Sequence, residues 1–153
     1  MRSVSCLMII VGLGGAASAA EIPTAISACL NKAGSAYEVS RKVAPPYLIA
    51  DFDGDSKTDY AVIVARGRAQ GIVVCRGSAA PPVVLGAGSS FNDMKDLDFT
   101  AWRVHGKNHR VARGMGAGRP PMLSGDALLL EWESASAIVY WKGNRFIWYQ
   151  QGD

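Results

Sequence analysis

From Tyr47 onward the chain alternates short apolar, β-branched runs with clusters of Gly, Pro, Asn and Asp, the pattern of strands separated by turns. The runs fall at 47–50, 60–65, 71–75, 82–85, 101–105, 127–132, 137–141 and 145–149. Their connections are too short for crossover helices, so neighbouring strands are expected to be antiparallel. The final pair, "AIVYW" and "RFIWY" around "KGN", predicts a hairpin whose turn uses Gly143-Asn144 for positive φ angles. Its aromatic side chains read as core packing and cross-strand pairs rather than a ligand-stacking platform. Before the strands, 24–33 places Ile26, Cys29, Leu30 and Ala33 at helical spacing, with Thr24 as N-cap and Gly34 just past the end. The expected fold is mainly β (α+β), an antiparallel sheet with one short N-terminal helix.

With 153 residues, 49% hydrophobic and 19% charged, the chain has the composition of a globular protein with its own core. Residues 1–20 read differently, as a secretory signal peptide: Arg2 supplies the positive region, 7–13 the apolar region and Ala17-Ser18-Ala19-Ala20 the small-residue cleavage site. The apolar run is too short for a membrane anchor and is interrupted by Gly12, Gly14 and Gly15. Cys6 precedes that run, so it marks no lipid anchor. The expectation is a periplasmic or secreted protein that does not span the membrane, with residues 21–153 as one domain. Two cysteines, Cys29 and Cys75, then remain in an oxidising compartment. They form either one disulfide, stapling the helix to a strand, or two buried thiols.

One stretch carries unusual chemistry. "ADFDGDSKTDYAVIV" sets four aspartates at near-alternating positions just before a β-branched run. Counting from Asp51 as one, Asp53 falls at three, Asp55 at five, the Lys57 carbonyl at seven and Asp59 at nine. Ca²⁺ seeks six to eight oxygens at about 2.3–2.6 Å, and a curling loop presents alternate side chains and a carbonyl to one point. Without a cation, carboxylates so placed repel one another. The metal-free alternative is an Asp-rich turn held by side-chain to backbone hydrogen bonds. Flanking strands, Ser56 at position six and Val62 at position twelve exclude an EF-hand, which needs helices, Gly and Glu there.

The stretch "DFDGDSKTDYAVIV" resembles the calcium loop of the FG-GAP and VCBS repeat families, in which D-x-[DN]-G-D-x-x-x-D leads directly into a hydrophobic strand. The resemblance implies Ca²⁺ held by the side chains of Asp51, Asp53, Asp55 and Asp59 and by the carbonyl of Lys57. It covers one hairpin, and no second copy appears, so a propeller of repeats is not implied. Families of this kind often have Gly where this chain has Ser56, a position expected to need positive φ. With no histidine or nucleophile in the motif, the ion reads as structural.

Other groups carry less. His105 and His109 are four apart, but Gly106 argues against a shared helix face, and they read as loop histidines. Glu131 and Glu133 suit a carboxylate pair for glycoside hydrolysis only loosely, and a solvated strand face opposite Leu128, Leu130 and Trp132 accounts for them. Asp93, Asp96 and Asp98 read as a turn or short helix start. Between Asp98 and Asp126 there is no acidic residue, while Arg103, Lys107, Arg110, Arg113 and Arg119 lie there. This glycine-rich, basic loop with an embedded strand is the expected contact for a protein or an anionic envelope component. Nucleic acid is not expected, since no recognition motif is present. Common hydrolase motifs are missing too. The leading expectation is therefore a non-catalytic binding module stabilised by Ca²⁺. A periplasmic inhibitor or immunity protein directed at an envelope-degrading enzyme is one alternative, and a hydrolase using Glu131, Glu133 or His105 is another.

Overall fold

The computed structural model describes residues 21–152, and the leader assigned to residues 1–20 lies outside them. In chain order the elements are α1 (Thr24–Ala33), β1 (Glu38–Val39), β2 (Tyr47–Ala50), β3 (Asp59–Arg66), β4 (Ala69–Cys75), β5 (Val83–Gly86), β6 (Ala101–His105), β7 (Ala127–Glu131), β8 (Ser136–Lys142) and β9 (Arg145–Gly152). The protein is mainly β, with two antiparallel sheets and one short helix.

The first sheet runs β1-β3-β4-β5, and β2 shares with β1 the free edge of β3. Glu38 and Val39 face Ala65 and Val64, while 47–50 pair with 62–59. The second sheet runs β6-β7-β8-β9 in sequence order. Phe52, Ile63, Ile72, Phe99, Leu128 and Leu130 belong to one core built from both sheets. Trp102 fastens the layers with a hydrogen bond from Nε1 to the Pro45 carbonyl, 2.8 Å.

The continuous apolar runs of β3 and β4 have a physical reason. One face of each strand enters that shared core, and the other, with Val62, Val64, Val73 and Cys75, is covered by Ile26 and Leu30 of α1. Strands buried on both faces lose the apolar-polar alternation. The same holds for β7, and it corrects one expectation. The outer face of the second sheet is not solvated: Ala127, Leu129, Ile138 and Tyr140 are buried beneath Val111 and Leu123 of the 106–126 segment. Glu131 is the last residue of β7 and pairs with Arg103, and exposed Glu133 lies beyond the strand, so the two do not form a carboxylate pair on one strand face.

Helix α1 has its expected bounds but a different cap. Pro23, extended at ψ 140°, is the N-cap, its carbonyl accepting from the Ile26 and Ser27 amides, and Thr24 is already helical. Proline carries no side-chain acceptor, so the start of the helix is capped by the backbone alone. In the β8–β9 turn only Gly143 of the Gly143-Asn144 pair takes positive φ, 67°, as a II′ turn requires.

Cys29 and Cys75 are joined, Sγ to Sγ 1.98 Å, across a sequence separation of 46. Closing a loop of that length removes about 4 kcal/mol of unfolded-state entropy in the chain model. The Cys29→Ala/Cys75→Ala double variant is expected to lose about 2–4 kcal/mol in urea unfolding, with a steeper slope because the unfolded chain without its cross-link exposes more surface. A midpoint equal to that of wild type shows instead that α1 is held by its apolar face alone.

Candidate metal centre

The β2–β3 connection is short and polar, and its backbone is organised by its own carboxylates. Asp59 opens β3 with a fully buried side chain. Its Oδ2 accepts the Phe52 and Asp53 amides at 2.9 and 3.2 Å, and its Oδ1 accepts the Gly77 amide at 2.7 Å. Asp51 accepts the Gly54 amide at Oδ1, 2.8 Å, and the Ser56 amide at Oδ2, 3.1 Å. Asp53 Oδ1 accepts from Asp55, and Asp55 Oδ1 from Lys57. The chain reverses through Gly54 at φ 79° and Ser56 at φ 64°. Ser56 thus occupies the left-handed conformation expected of its position, at a cost of about 1 kcal/mol over glycine.

Three of the four aspartates converge. Carboxylate oxygens of Asp51, Asp53 and Asp59 lie within 4.8 Å of one another. Two ligands on one Ca²⁺ are at most about 5.2 Å apart, so this spacing fits a single ion. The donors are hard oxygens, and a carboxylate offers about four acceptor sites, so Asp51, with two amides bound, keeps open ones. Asp55 lies outside the cluster: it is exposed, its Oδ1 holds the Lys57 amide and its Oδ2 lies 3.3 Å from the Lys57 ammonium.

Two cations approach the cluster, neither of which was read from the sequence as part of it. Arg76 follows Cys75, which pairs with Tyr60 beside Asp59. Its guanidinium lies 3.7 Å from Asp53 Oδ2 and 4.7 Å from the centre of the Trp141 ring in the second sheet. The Lys107 ammonium lies 3.9 Å from Asp51 Oδ2, and its amide donates to Asp126 Oδ1. Asp126 in turn donates its amide to the Asp51 carbonyl, 2.7 Å. The aspartate loop is therefore a joint between the sheets. The alternation of aspartates signals the loop, but Arg76 becomes legible only through the strand register and Asp126 only through the approach of the second sheet.

The remaining residues singled out in the sequence lie elsewhere. His105 closes β6, its ring edge-on to His109 at 5.9 Å. Asp96 accepts the Gln70 amide and Asp98 the Trp132 indole, so neither joins the cluster. Arg110, Arg113 and Arg119 are exposed on the 106–126 segment, and Arg103 is paired with Glu131. Among the described residues no helix is long and apolar enough to cross a membrane. The chain matches no protein-family model, and no curated protein or solved structure is significantly similar to it.

Two outcomes follow from this geometry. A Cβ on Gly125 would sit 2.6 Å from both the Asp51 carbonyl oxygen and the Gly54 nitrogen, whereas one on Gly118 meets nothing within 4 Å. Gly125→Ala is expected to cost about 1–3 kcal/mol by chemical unfolding and Gly118→Ala close to nothing. Equal effects would remove the close docking of the loop on the second sheet.

The second outcome concerns pH. Burial pushes the Asp53 carboxyl above its usual range, with Asp55 and Asp51 adding to the effect and the Asp55 amide and Arg76 opposing it. Burial likewise raises Asp59 against its three amide donors. A carboxyl raised in the folded state destabilises the ionised protein, and that cost is relieved as pH falls through the folded pKa toward the unfolded value of 3.8. Asp53→Asn in chelator is expected to be more stable than wild type near pH 7, the gap narrowing toward pH 3.8. A gap that widens on acidification would show that the ionised form of Asp53 is the stabilising one.

Proposed function

We propose that this chain is an exported β domain, stabilised by Ca²⁺, that acts by binding rather than by catalysis through its basic, glycine-rich segment. The observation that carries this reading is the convergence of Asp51, Asp53 and Asp59 at the joint between the sheets. Asp51, Asp53 and Asp59 would hold the ion, with Asp55 and the Lys57 carbonyl as the further ligands the loop pattern implies. Bound there, Ca²⁺ supplies positive charge and oxygen coordination to a carboxylate group that Arg76 and Lys107 neutralise only at 3.7 and 3.9 Å. The protein's own part is to shape the loop for it: Asp59 fixes the backbone, and Asp126 anchors the start of β7 to the Asp51 carbonyl.

Export is supported by the Cys29–Cys75 bond, a linkage favoured in oxidising compartments. The binding role is supported by the surface that this joint positions, in which Arg110, Arg113 and Arg119 lie exposed with no ion pair among the described residues.

The test is thermal unfolding in Ca²⁺ and in EGTA. At free Ca²⁺ tenfold above its dissociation constant, binding adds about 1.4 kcal/mol, a rise of about 4 °C in midpoint for a domain of this size. Asp53→Asn is expected to abolish most of that rise. A wild-type midpoint indifferent to chelator and to millimolar Ca²⁺ sinks the calcium reading.

A further inference from the structure

The 106–126 segment is strapped over the second sheet at a few points. Val111 and Leu123 turn inward onto Ala127, Leu129, Ile138 and Tyr140. Tyr149 donates its hydroxyl to the Gly118 carbonyl at 3.0 Å, and Arg113 Nε donates to the Ala117 carbonyl. Against this anchored strap two methionines point the other way, Met115 90% and Met122 94% exposed. Leu123, next to Met122, is the residue that packs, half-buried, against the sheet, and Met122 turns away from it. It stands on a ridge stiffened by Pro120 and Pro121, whose rings fix φ.

The ridge separates two shallow grooves. One, of about 550 Å³, is lined by Arg119 and Lys142 beside Tyr140 and Trp141. The other, of about 330 Å³, is lined by Lys107, His109 and Arg110, and both share Pro120, Pro121 and Met122 as a wall. Neither 99–125 nor 134–152 contains an acidic residue. Arg110, Arg113, Arg119, Lys142 and Arg145 form no ion pair among the described residues.

We infer that this ridge is the docking site for a protein partner that seats Met122 in an apolar socket rimmed by carboxylates. The inference rests on the binding role proposed above and deepens it. Charge alone would suit any polyanion, but a polyanionic polysaccharide offers no apolar socket to a solvent-facing methionine that directly follows two prolines. Methionine and arginine are enriched in the buried centres of protein interfaces, and Met adapts its shape to a socket. A pre-stiffened ridge also lowers the entropy lost on docking.

The experiment uses the full chain carrying [13C-methyl]methionine, with half-buried Met94 as internal reference. Three probes are titrated in Ca²⁺ and in EGTA: a synthetic peptide alternating Glu and Leu, polyglutamate of equal length, and heparin. The Glu–Leu peptide is expected to shift the Met122 methyl signal, leave Met94 in place, and bind tightest of the three. Met122→Ser and the Arg119→Glu/Lys142→Glu pair are each expected to weaken it about tenfold. Undiminished binding of the peptide to Met122→Ser overturns the inference, as does tighter binding of heparin with Met122 unmoved, which would make the surface a polymer site. A calcium-dependent midpoint with no peptide binding overturns this inference alone. Peptide binding at Met122 in a protein indifferent to Ca²⁺ supports it while sinking the calcium reading.

Discussion

The buried carboxylate of Asp59 is the interaction on which the arrangement depends. Three backbone amides from two separate connections converge on its two oxygens, so one side chain closes the β2–β3 loop and ties it to the chain leaving β4. An apolar residue there would leave three amides without their acceptor, each costing about 1–3 kcal/mol where it is buried. Burial penalises the charge itself, and the amide donors offset part of that penalty. The position therefore demands a short carboxylate, and its neighbours inherit the loop shape that Asp59 imposes.

That shape brings negative charge to the seam between the sheets. Shared apolar burial holds the layers face to face, but it is weakly directional and would tolerate sliding. The seam removes that freedom through contacts that depend on position. The Gly54 and Gly125 backbones approach too closely for any side chain, Asp126 donates to the Asp51 carbonyl, and Arg76 lies between Asp53 and the Trp141 ring. Lys107 contacts Asp51 from the basic strap, so the same loop that gathers the carboxylates fixes where the strap begins.

Much of this fold was legible as local pattern. β2 and β6 have their expected bounds, and the other expected strands differ at one or both ends by up to three residues, because period and turn residues act over a few positions. The two-residue β1 carries no such signal and exists because β3 offers an unpaired edge at Val64 and Ala65. The face of β7 was misjudged for a related reason: its cover, Val111 and Leu123, comes from a strap whose path no local pattern specifies. At the aspartate loop, alternation points to Asp51, Asp53 and Asp59, which gather, while Asp55 sits on the exposed outer turn and bonds to Lys57. Arg76 was invisible because its neighbours are set by the pairing of Cys75 with Tyr60, a relation between strands.

The seam and the ridge are two consequences of one division of charge. All the acidic residues of the cluster lie in the first half of the chain, while 99–125 and 134–152 have none. Where the halves meet, Lys107 and Arg76 are drawn toward carboxylates, and farther along the strap Arg110, Arg113 and Arg119 have no such counterpart. Exposed cations without partners contribute little to the fold. They are held on a strap packed by Val111 and Leu123, with Met122 turned outward beside them. The seam thus fixes where the strap begins, and the strap fixes where the unmatched charge is displayed.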